Sequence, residues 1–132
     1  MSAEIIIDGI VDEIDWNDAQ VFDEFVTVEP LSGDSAKYKT EVRLLTNAQG
    51  IYVAFSNYQP SNVKRVNRRF ARDKEIKGDR NIVSIDFDGN QLTGYDFTVG
   101  SANSMQDGIL ANGKYRRDWD GVWYSATSTD EN

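Results

Sequence analysis

Between Thr40 and Phe55 apolar and polar positions alternate twice. Val42 and Leu44 interleave with Glu41 and Arg43, Asn47 to Gly50 supply turn chemistry, and Ile51, Val53 and Phe55 resume the alternation. A period of two around such a turn predicts a β-hairpin, with Glu41 and Arg43 on the outer face of a half-exposed antiparallel sheet. The pattern returns from Asn81 to Phe87, passes through Asp88-Gly89-Asn90 and re-enters from Gly94 to Val99, which predicts a second hairpin. Upstream, the β-branched run Glu4 to Ile10 closes on Asp8-Gly9 and reads as a first strand. Val11 to Ala19 reads as one short helical turn that carries Trp16 into the core, and Val21 to Val28 as a second strand ended by Pro30 and Gly33. Residues 100–118 are rich in Gly, Ser, Asn and Asp and suit a long loop with a short strand at Ile109 and Leu110, before another strand from Trp119 to Thr127. Short strands at this spacing predict an all-β fold, an antiparallel β-sandwich of the immunoglobulin or jelly-roll kind. The polar stretch Ser128 to Asn132 brings no partner for the strand before it, so a closing hairpin is expected to be missing.

Length changes this picture little: 132 residues hold one domain, 1–132. Three Trp, six Tyr and six Phe spread along the chain favour a folded core over disorder. Charge narrows the partners, because a net charge of -8 repels nucleic-acid phosphates and anionic head groups alike. The basic run Lys64 to Arg72 reads as a solvated or ion-paired strand edge. There is no cysteine, hence no disulfide and no thiolate metal site, and no histidine, hence no imidazole base, haem ligand or His-dependent triad. The apolar run Ile5 to Ile7 is far too short for a signal peptide or a membrane span, so the chain shows no export signal and direct membrane insertion is not expected. Acidic pairs such as Asp118 with Asp120, or Asp86 with Asp88, lie in turn contexts without support for a buried acid of raised pKa, which argues against an enzyme.

Seven segments in order carry a resemblance. They are Ile7-Asp8-Gly9 with Asp12-Glu13 and Trp16; Thr40 to Leu45 with Ile51 to Phe55; Arg68-Arg69 with Asp73; Asp79-Arg80 leading Ile82 to Asp86; Gly94-Tyr95-Asp96-Phe97; Asp107-Gly108; and Trp119-Asp120-Gly121-Val122-Trp123. Together they resemble the family 9 carbohydrate-binding module-like domain, and within it most closely the branch at the front of bacterial envelope proteins. The resemblance implies a non-catalytic β-sandwich that holds a polysaccharide or oligosaccharide, attached to a larger glycoside hydrolase or envelope protein in the periplasm or outside the cell. It also implies a further closing segment, with nothing after Thr127 corresponding to it.

The candidate sugar contacts are Trp119, Trp123, Tyr95, Arg68, Arg69 and Glu41. A pyranose presents C–H groups that pack on an aromatic ring, and its hydroxyls need carboxylate, amide or guanidinium partners. Against this stand plainer roles, with Trp119 and Trp123 in the core beside Trp16, and Glu41 and the arginines in cross-strand ion pairs. Asp86, Asp88 and Asn90, with Asp107, offer oxygens to a hard cation such as Ca2+, and Asp8, Asp12 and Glu13 could complete the shell; the competing reading is hairpin-turn chemistry. The two tryptophans that clasp a sugar in family 9 modules find no counterparts here. That motivates a second reading, an interaction or structural sandwich without a sugar site, whose open strand edge invites pairing between copies.

Overall fold

The computed structural model describes residues 4–27, 33–60, 79–111, 114–116 and 121–129. They are mostly strand, in two antiparallel sheets, with a single 3-10 turn as the helical element. The all-β class read from the alternation is the observed one. The described residues fall into two compact units, one of 4–6, 11–27 and 33–60, the other of 7–10, 79–111, 114–116 and 121–129. Each holds one sheet.

In the first unit, β1 (Gln20–Phe22), β2 (Thr40–Asn47) and β3 (Gly50–Asn57) lie in the order β1-β2-β3. The expected hairpin is there, in register from Thr40 opposite Asn57 to Asn47 opposite Gly50. Asn47 fastens its turn by accepting the amides of Gln49 (2.8 Å) and Gly50 (3.2 Å) on its side-chain oxygen. The 3-10 helix Ile14–Asp18 buries Trp16, as its sequence suggested, with Ile5 and Val42 also buried in this unit.

Two strand assignments need correction. Glu4 to Ile10 forms no ladder: the Ile6 amide donates to Glu13 Oε1 (2.7 Å), the Ile10 amide to Asp8 Oδ1 (2.9 Å), and Gly9 takes φ +85°. Side-chain acceptors close in sequence have replaced a partner strand. Of the strand expected over Val21 to Val28, the described part, as far as Thr27, holds only the end of β1 and an isolated bridge that joins Val26 to Ser35.

The second unit is a four-stranded meander, β4 (Arg80–Ile85), β5 (Thr93–Gly100), β6 (Met105–Ala111) and β7 (Lys114–Arg116), in sequential order. β4 and β5 are the expected second hairpin. β6 and β7 stand where a long loop was expected, and the short strand placed at Ile109 and Leu110 is the end of β6. Gly100 and Ser104 close the β5–β6 turn (2.9 Å), and Asn103 adopts φ +61° within it. Of the strand expected over Trp119 to Thr127, the described residues 121–127 join no ladder, and 121–129 are fastened by side chains instead.

Register assigns the two faces of this sheet. Val83, Phe97 and Asp107 stand opposite one another on one face; Ser84, Asp96 and Gly108 form the next row, on the other. The first face carries Val83, Ile85, Tyr95, Phe97, Val99 and Ile109; the second is largely polar, with Ile82 and Leu110 exposed.

Candidate functional site

The residues expected to meet a sugar do not converge. Arg68, Arg69 and Trp119 lie outside the described residues. Glu41 belongs to the first unit, where its carboxylate accepts from Arg43 Nε (2.8 Å) and lies 3.8 Å from Lys39 Nζ. The Arg43 guanidinium continues to the carbonyl of Trp16 (2.9 Å), so Glu41 is ion-paired along its own strand and not across strands as expected. Tyr95, on the apolar face of β5, packs against Phe87 with ring centroids 5.4 Å apart.

The cation reading of Asp86, Asp88, Asn90 and Asp107 is corrected by the turn. Asp86 Oδ1 accepts the amides of Asp88 (3.1 Å) and Gly89 (2.9 Å), and its Oδ2 that of Gln91 (2.6 Å). Asn90 accepts the Leu92 amide (2.9 Å). Both carboxylate oxygens of Asp86 thus face backbone N–H groups, and the Gln91 amide foremost holds its pKa below the ordinary carboxylate value. Among the described residues no three acidic, His or Cys side chains come together as a metal-binding group.

Asp107 has a different office. It is fully buried on the apolar face of β6, and its Oδ2 accepts both the amide of Gly121 (3.0 Å) and the indole N–H of Trp123 (2.9 Å). The Trp123 ring meets Phe97 edge-on, at 5.3 Å and 78°. Trp123 is therefore a fastening for residues 121–129, with its polar handle turned into the sheet. Further along, Ser125 Oγ donates to Asn103 Oδ1 (2.7 Å), Thr127 Oγ1 to the carbonyl of Ser101 (3.2 Å) and Ser128 Oγ to that of Gly9 (2.6 Å).

The opposite face of the same sheet holds an arrangement that the sequence reading missed. β7 places Tyr115 opposite Leu110, and the ring leans over Gly108: a Cβ added there would come within 2.5 Å of both Tyr115 Cζ and Oη. Gln106 Nε2 donates to Tyr115 Oη (3.1 Å) and fixes the far end of the ring, while 39% of Tyr115 stays exposed. Opposite Gly108 on β5 is Asp96, and opposite Asp96 on β4 is Ser84, whose hydroxyl donates to Asp96 Oδ1 (2.6 Å). Among the described residues no donor reaches Asp96 Oδ2. An aromatic ring lying over a glycine, beside a carboxylate with an open oxygen, a hydroxyl and an amide, is suited to a flat polyhydroxylated molecule.

No family model, no curated protein and no solved structure matches the chain.

The signal that could have located this face was the parity of Gln106, Gly108 and Leu110. With Gln106 and Gly108 read as loop and only Ile109 and Leu110 as strand, these residues had no face to share.

Proposed function

We propose that the protein is a non-catalytic carbohydrate-binding domain, and that the face of Ser84, Asp96, Gln106, Gly108 and Tyr115 is where it holds its ligand. One observation carries the reading: the Tyr115 ring, seated over Gly108 and pinned by Gln106, offers a fixed aromatic surface next to the open Asp96 oxygen. An aromatic side chain held in place binds with less loss of conformational freedom than a mobile one. The family 9 resemblance supports the same ligand class, and the net charge of -8 favours neutral glycans over polyanions. The reading includes a site of action in the periplasm or outside the cell, next to a larger carbohydrate-active or envelope protein. Titration calorimetry with xylan, cello-oligosaccharides and manno-oligosaccharides tests it: at least one binds the wild-type protein and loses affinity with Tyr115→Ala. A folded protein silent toward all of them would sink the proposal.

A second reading, an interaction domain that pairs through a strand edge, draws on the internal roles of Glu41, Tyr95 and Trp123. It also draws on β3 closing its sheet among the described strands. Light scattering separates the two readings, since strand pairing requires a dimer or larger species.

A further inference from the structure

We infer that the face around Tyr115 takes an internal stretch of a glycan chain, at least two consecutive sugar rings laid across the strands, and not a chain end. This rests on the carbohydrate reading above and adds the mode of recognition to it. Ser84, Asp96 and Gly108 occupy one row perpendicular to the strands, with the Tyr115 ring over Gly108. Ser84 is on β4 and Tyr115 on β7, the two outer strands of the sheet, so the polar contacts run from one margin to the other. The two strand spacings between Ser84 and Gly108 amount to roughly 10 Å, the length of a disaccharide unit. One ring stacked on Tyr115 would therefore bring its neighbour over Asp96 and Ser84.

Holding a chain end requires a wall that stops the next sugar, or a second aromatic closing on the first. Among the described strand residues of this face, which run from Arg80 and Gly100 at one end past Ser84, Asp96 and Gly108, the only aromatic is Tyr115. The chemistry of the row also selects the ligand. Asp96 is an acceptor when ionised, which suits vicinal hydroxyls and repels uronate carboxylates.

The test uses the intact protein in calorimetric titrations with xylose, cellobiose, xylohexaose, cellohexaose, mannohexaose and the parent polysaccharides, each oligosaccharide with a native and a borohydride-reduced end. Affinity should rise about tenfold or more from a single sugar to the hexaose. Reduction of the ends should leave it unchanged, and several protein molecules should load onto each polysaccharide chain. Gly108→Ala is the informative variant, because the atoms nearest the added methyl are those at the far end of the Tyr115 side chain, so the ring is displaced before the backbone. With an unchanged circular dichroism melt, it should weaken hexaose binding about tenfold, and Asp96→Asn should weaken it as well. Binding abolished by end reduction, or one protein per chain, would overturn the internal-stretch inference and leave the carbohydrate reading standing. Undiminished affinity in Gly108→Ala would remove the ligand from this face. Silence toward every sugar would overturn both proposals.

Discussion

Asp107 shows how a single side chain can decide the fate of a segment. Its buried Oδ2 serves two donors that come from 14 and 16 residues further along the chain, Gly121 and Trp123. A buried carboxylate is stable only with such partners, and its removal leaves both donors without an acceptor. Asp107→Ala should therefore destabilise the protein by about 2–3 kcal/mol and free the Trp123 ring from Phe97. A lower urea midpoint together with red-shifted tryptophan emission would report both effects; an unchanged midpoint would show that Asp107 contributes little. In the sequence, Asp107 looked like an oxygen donor awaiting a cation. Its real partners were invisible because they lie far along the chain and include a backbone amide, which no side-chain pattern advertises.

Among the elements, the two hairpins were legible and the strands without their own turn were not. β2 with β3, and β4 with β5, combine strict alternation with Asn or Asp turn chemistry, and each hairpin forms in the expected place. β6 carries Gln106, Asp107 and Gly108 in its interior, all buried, a composition that reads as loop. Contacts with Tyr115, Gly121 and Trp123 make that strand tenable, and none of them is periodic. The opposite error fell on Glu4 to Ile10, where β-branched residues suggested a strand and nearby carboxylates took two of its amides. The β4–β5 turn, for its part, should respond to acid. Asp86 has a pKa lowered in the folded protein by the Gln91, Gly89 and Asp88 amides. Its stabilising effect is then complete above about pH 4 and lost as the pH falls through the lowered folded-state value. Amide NMR shifts of Gly89 and Gln91 followed during acidification should titrate at that lowered value, and Asp86→Asn should abolish the transition.

At the scale of the whole molecule, the charge of -8 would, on the carbohydrate reading proposed above, set how the ligand is approached. A neutral glycan gains nothing from steering by that field, and contacts made by hydroxyl groups and an aromatic face are little screened by ions. Affinity for the best-bound oligosaccharide should therefore change less than about twofold between 50 and 500 mM NaCl. A steep salt dependence, with a logarithmic slope like that of counterion release, would point to a charged partner instead. The candidate face itself was the least legible feature. Its members come from four strands, and only the register of β6 against β5 and β7 brings Asp96, Gly108 and Tyr115 together.

Residues 121–129 differ from every strand in how they tolerate change. In β2, one inserted residue turns every following side chain to the other face of the sheet. This segment is fastened at separate points, Gly121 and Trp123 on Asp107, Ser125 on Asn103, Thr127 on Ser101 and Ser128 on Gly9. An insertion between Trp123 and Ser125 would put at risk only the fastenings beyond it and leave the Trp123 anchor seated. An engineered peptide should thus be accepted here while both sheets keep their register.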